Sequence, residues 1–306
     1  MRYVRRVIVA FAVLVAVLYA GAVGFLWANE SRIVFRTSWT RGSAPFDPPF
    51  RPFTLASADA LRLDAVMLEH VPTAVDDPYW IVYFNGAAGS IHRRRYRDQL
   101  EQLHGLGYNV FSFDYRGFGR NPGSPSEDGL YADAEAAYRH LVDDRGIDPA
   151  RIILAGRSLG SAVAVEIATR VRSAGLVLLS PIDSVPAVGQ RLYPWAPVTL
   201  LASNRFDSLS KMPRIGVPVL IVHSLRDRFV PIDAGRALYA AATSRKVMLE
   251  TGGGHNSAGF SPIDELAQAM EEIWPTACAS TDDRQCDQHR RPSAPLAPTI
   301  VSPGTL

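Results

Sequence analysis

The chain has 306 residues, 47% of them hydrophobic and 20% charged, and a formal net charge of +2. That length holds one large domain or two small ones with a sizeable core. The near-neutral balance gives no electrostatic reason to expect a nucleic-acid partner, and no internal repeat is visible.

The first element is an uncharged, almost wholly apolar run over residues 7–28, VIVAFAVLVAVLYAGAVGFLWA. As a helix it spans about 33 Å, enough for a bilayer core. Arg2, Arg5 and Arg6 precede it, so the positive-inside rule puts the short N-terminus in the cytoplasm and the remainder outside, in the periplasm or extracellular space. A cleaved signal peptide is the alternative, because Ala20-Gly21-Ala22 resembles an A-x-A cleavage site. Both readings export the rest of the chain. Residues 29–52 read as an irregular juxtamembrane linker, 53–275 as the folded domain, and 276–306 as a proline-bearing disordered tail. Cys278 and Cys286 lie in that tail, and their pairing stays open.

Within the domain, strand-like runs at 53–55, 61–68, 79–84, 110–113, 151–154, 175–179, 218–222 and 246–250 are separated by helical stretches at 92–106, 130–143, 162–168, 233–242 and 262–274. The alternation predicts an α/β fold, a mostly parallel doubly wound sheet with helices on both faces. Residues 181–213 break the rhythm with prolines and short apolar pieces. They predict a small cap over the strand ends, with Tyr193, Trp195 and Phe206 as candidates to line a pocket.

Gly156-Arg157-Ser158-Leu159-Gly160 stands between a strand and a helix, as a G-x-S-x-G nucleophile elbow requires. A serine nucleophile needs a histidine base, and the base an orienting carboxylate, in the chain order Ser, acid, His. Among seven histidines His255, after three glycines, satisfies that order. Asp227, in the loop after the preceding strand, is the candidate acid, and Asp183 the alternative. The backbone N–H groups of Leu159 and of Ala87, or failing that Ala88, are the candidate oxyanion donors. No metal or organic cofactor is implied.

Five segments carry a family resemblance: NGAAGSI (85–91), DYRGFG (114–119), GRSLGSAVAVEIA (156–168), HSLRDRFVP (223–231) and GGGHN (252–256). With them the domain resembles the membrane-anchored α/β-hydrolases grouped around α/β-hydrolase domain-containing proteins 13 and 17 and their bacterial and fungal relatives. The resemblance implies a Ser-Asp-His hydrolase of ester-type bonds and supports Ser158, Asp227 and His255 in those roles. Two positions depart from the family pattern. Asn85-Gly86-Ala87 replaces His-Gly-Asn, and His223-Ser224 replaces His-Gly. The expected function is a membrane-anchored serine hydrolase of an ester or thioester in a small-molecule or lipid-like acyl substrate. A serine peptidase on the same fold and a catalytically silent tethered binding protein are the alternatives. Nothing in the sequence sets the oligomeric state.

Overall fold

The computed structural model describes residues 2–43, 45–57, 59–71, 78–260 and 263–275. The tail, with Cys278 and Cys286, lies outside the described residues. In chain order the elements begin with α1 (Arg2–Ala28), α2 (Glu30–Phe35), β1 (Arg51–Ala56), β2 (Arg62–Leu68) and β3 (Trp80–Phe84). Next are α3 (Arg94–Gly105), β4 (Asn109–Phe113), α4 (Glu127–Arg139), β5 (Ile152–Arg157), α5 (Leu159–Ala168) and β6 (Gly175–Leu179). Three short helices form the cap, α6 (Val185–Leu192), α7 (Val198–Leu201) and α8 (Ser208–Lys211). Then come β7 (Val219–Ser224), α9 (Ile232–Ala241), β8 (Lys246–Thr251) and α10 (Asp264–Ile273).

The eight strands form one sheet in the order β1-β2-β4-β3-β5-β6-β7-β8. β1 and β2 are antiparallel to their neighbours and β3 to β8 run parallel. β3, β4, β5, β6 and β7 are buried along their whole length, because helices cover both faces and leave no polar side for alternation. One core joins the sheet to α4, α5 and the cap, with Phe84, Phe113, Leu154, Val163 and Leu178 fully or nearly fully buried. The other lies under α3 and α10, around Ile81, Leu100, Ile153 and Met270.

Residues 30–35 form a helix where the sequence reads as irregular linker. The reason is packing. Phe35 is fully buried and meets Phe118 and Phe206 edge-on, with ring centroids 6.4 and 6.1 Å apart. Phe206 is therefore a core residue rather than a pocket wall. α1 has no buried residue and is long and apolar enough to cross a membrane.

Candidate active site

Parallel strands deliver their C-terminal ends to one edge of the sheet, and register fixes which residues meet there. Phe84 pairs with Gly156, Arg157 with Leu179, and Ser224 with Thr251. The loops leaving these strands carry Ala87, Ser158, Asp183, Asp227 and His255.

Ser158 sits between β5 and α5 with φ 51° and ψ −117°, a conformation that L-residues adopt only under constraint. The flanking glycines make the turn possible. A Cβ on Gly156 would lie 2.1 Å from the Gly160 carbonyl oxygen, and one on Gly160 would lie 2.1 Å from that of Phe84. The turn leaves the Ser158 hydroxyl beside the first residue of α5, where backbone N–H groups lack helical acceptors and the dipole is positive.

His255 Nε2 lies 3.0 Å from Ser158 Oγ, and His255 Nδ1 lies 2.6 Å from Asp227 Oδ2. The three residues meet from three loops. Asp227 Oδ1 also accepts the N–H groups of Phe229 and Val230 at 2.9 and 2.8 Å. Burial opposes ionisation of this carboxyl. Hydrogen bonding to His223 and His255, the charge of the His255 ring and the Val230 N–H outweigh it and hold the group well below the usual carboxylate range. His223 Nε2 donates to the Val230 carbonyl at 2.9 Å and lies 3.5 Å from Asp227 Oδ2, so it braces the acid loop from below. Asp183, the alternative acid, is committed elsewhere, with Arg191 Nη2 at 2.6 Å from its Oδ2.

The first loop touches the elbow. A Cβ on Gly86 would lie 2.9 Å from the Arg157 carbonyl oxygen and 3.3 Å from Ser158 Cβ, which brings the next residue, Ala87, beside the serine. The Ala88 N–H donates to the Phe35 carbonyl at 3.4 Å and is engaged there. Leu159 opens α5. Asn85, at the family's histidine position, is buried and donates to Ser112 Oγ and the Phe113 carbonyl, each at 3.3 Å, tying the loop to β4.

Several further residues hold this arrangement, and of these the sequence singled out only Ser224, as a departure from the family pattern. Arg157 is buried and donates to Gln99 Oε1 at 3.1 Å, to the His255 carbonyl at 3.1 Å and to Asn256 Oδ1 at 2.6 Å. Ser180 Oγ donates to the same His255 carbonyl at 3.0 Å. Ser224, the other departure from the family pattern, donates through Oγ to the Gly253 carbonyl and joins the acid loop to the histidine loop. The Phe229 ring packs against His255 with centroids 5.1 Å apart, and the Arg36 guanidinium lies 5.0 Å from the centre of that ring. A charged residue ending an otherwise apolar strand, as Arg157 does, was the one available signal in the sequence. Among the described residues no cluster of His, Cys, Asp or Glu could hold a metal ion.

A cavity of about 80 Å³ lies away from this group, between α1, α2 and the cap. Tyr193 lines this cavity and not the space beside Ser158, and Trp195 is half exposed and faces α1.

Comparison with known proteins agrees with this architecture. A family model described as "Serine aminopeptidase, S33" matches residues 80–208. An uncharacterized protein of Mycobacterium tuberculosis is 37% identical over 249 residues, covering 79% of this chain and 86% of that protein. Similarity extends to α/β-hydrolase domain-containing protein 17C of Xenopus tropicalis, 35% identical over 165 residues, 54% of this chain and 51% of that protein. Among solved structures, the Pyrococcus furiosus esterase Pf2001 superposes with a TM-score of 0.63 at 19% identity, over 76% of this chain and 96% of that one. The chain belongs to the α/β-hydrolase family. It is a hydrolase by that membership.

Proposed function

We propose that this hydrolase cleaves a carboxylic ester or thioester through an acyl-enzyme on Ser158, with His255 as base and Asp227 as its orienting acid, and that α1 anchors it in a membrane. The observation that carries the reading is the unbroken contact from Ser158 Oγ to His255 Nε2 at 3.0 Å and from His255 Nδ1 to Asp227 Oδ2 at 2.6 Å. His255 Nε2 takes the serine proton as Oγ bonds to the acyl carbon. The N–H groups of Leu159 and Ala87 receive the resulting oxyanion. Collapse expels the alkoxide or thiolate, which takes the proton from His255. Water then attacks the acyl-enzyme by the same route, releasing the acid and restoring Ser158.

An aminopeptidase must hold a substrate ammonium group. The site's charge argues against that. Asp183 and Asp227 are both engaged, Arg226 and Arg228 flank the acid on exposed positions, and Arg36 stands over Phe229. A cationic rim suits a neutral or anionic leaving group. Assays with p-nitrophenyl acyl esters of graded length beside aminoacyl p-nitroanilides test the choice. Ester turnover that vanishes in Ser158→Ala supports the reading, and turnover of the anilides alone contradicts it.

A further inference from the structure

The cap and α1 are joined in a way that fixes where the cap sits. Tyr19, about two thirds of the way along α1, donates through its hydroxyl to the Trp195 carbonyl at 3.1 Å, and the two rings meet edge-on with centroids 6.3 Å apart. Further along, the Glu30 carboxylate accepts the backbone N–H groups of Ser203 and Asn204 at 3.0 and 2.8 Å and the Asn204 side chain at 2.9 Å. Between these ties lies the apolar cavity, walled by Leu26, Trp27 and Ile33 on one side and Gly189, Tyr193 and Leu201 on the other.

These contacts set a depth. A hydrocarbon layer of about 30 Å entered just after Arg6 takes up about 20 helical residues and ends near Leu26. Tyr19 lies about two turns short of that point, or about 10 Å inside the layer's outer boundary. Whatever Tyr19 touches shares that depth. The cap is built for it. Residues 192–204, LYPWAPVTLLASN, contain no Asp, Glu, Lys or Arg and are bounded by Arg191 and Arg205. Leu200 is 84% exposed, Trp195 48% and Leu192 42%, and α7 has no buried residue. An exposed apolar surface with aromatic residues and arginines at its margins has the composition of an interfacial membrane element.

We infer that residues 192–204 are inserted in the outer leaflet of the bilayer beside α1, so that the cap is a membrane-embedded surface and its partner is phospholipid. The inference rests on the reading of α1 as an anchor. It implies that the hydrolase meets substrates held at the bilayer surface. The occupant of this face is lipid and not another protein, because residues 192–204 lie against the unburied apolar helix α1 and, like its residues 7–28, carry no charge.

The test uses the full chain with Cys278→Ser and Cys286→Ser, reconstituted in phosphatidylcholine nanodiscs. Leu200→Cys is labelled with an environment-sensitive nitrobenzoxadiazole probe, and Val71→Cys, 84% exposed beyond the C-terminal end of β2 at the opposite edge of the sheet, serves as the comparison. Blue-shifted emission at position 200, quenched by lipids carrying a nitroxide near the top of the acyl chain, is the expected result, with position 71 water-like and unquenched. Emission at 200 as water-like as at 71, from a chain that stays with membranes through an alkaline carbonate wash, overturns the inference alone. A chain released by that wash overturns the anchor as well.

Discussion

Replacing Asp227 by Asn keeps the shape of the side chain while removing the charge that holds His255. The carboxylate accepts His255 Nδ1–H at 2.6 Å, and the amide selects the wrong tautomer. We expect kcat to fall by up to about 10⁴-fold, as tautomer loss does in such arrangements. Asp183→Asn, which breaks only the pairing with Arg191, should leave turnover near wild type. Stopped assays on both variants decide which carboxylate serves His255, and the reverse ranking transfers the role to Asp183. Asp227, held below the usual carboxylate range, keeps its charge beside His255 as the medium is acidified. Arg157 acts through position. Its planar fork spans Gln99, the His255 carbonyl and Asn256, and a lysine cannot span the same three acceptors. Arg157→Lys should lower kcat by about 10- to 100-fold with KM nearly unchanged, the cost of a small displacement of the base. An equal loss in KM would assign Arg157 to substrate binding instead.

Among the elements, the loop between β3 and α3 depends on a buried carboxyl outside the chemistry. Asp114 accepts Ser90 Oγ–H at 2.6 Å and the Ile91 N–H at 2.8 Å, fixing the segment that carries Ala87. Burial pushes Asp114 up from 3.8 to about 7 against those hydrogen bonds. The folded state therefore favours the protonated form. The stability from this group is complete below about pH 4, declines as pH rises toward 7 and is lost above it. Asp227 contributes in the opposite sense, with its share lost only as pH falls through the range below 3.8. Asp114→Asn should keep the Ile91 N–H bond through Oδ1, reverse the Ser90 contact so that the amide N–H donates to Oγ, and flatten the denaturant midpoint between about pH 4 and pH 8, whereas the wild-type midpoint falls across that interval. A wild-type midpoint that rises there would contradict a raised Asp114.

At the scale of the molecule, the charge difference across α1 predicts its orientation. Arg2, Arg5 and Arg6 precede the apolar run, while Glu30 and Arg32 balance beyond it. A reporter that works only after export, fused after Leu306, should be active, and one that works only in the cytoplasm silent. The opposite pair of signals reverses the topology. Much of this organisation was legible in the sequence because it rests on local patterns. The buried strands read as apolar runs, the elbow as glycines around a serine, and His255 as the histidine in the right order. What escaped depends on distant contacts. The helix at 30–35 forms because Phe35 finds Phe118 and Phe206, far along the chain. Phe206 belongs to that core and not to a pocket. The brace formed by Arg157, Ser180 and Ser224 on the histidine loop consists of single side chains reaching backbone carbonyls, which leave no periodic trace.

The central claim is that Ser158 is the nucleophile of a working hydrolase, and covalent labelling tests it most directly. Full-length protein treated with a fluorophosphonate, digested and mapped by mass spectrometry should carry one adduct, on Ser158, and Ser158→Ala or His255→Ala should carry none. An adduct on Ser161 or another serine, or an unlabelled wild-type protein that still turns over esters, would contradict that claim.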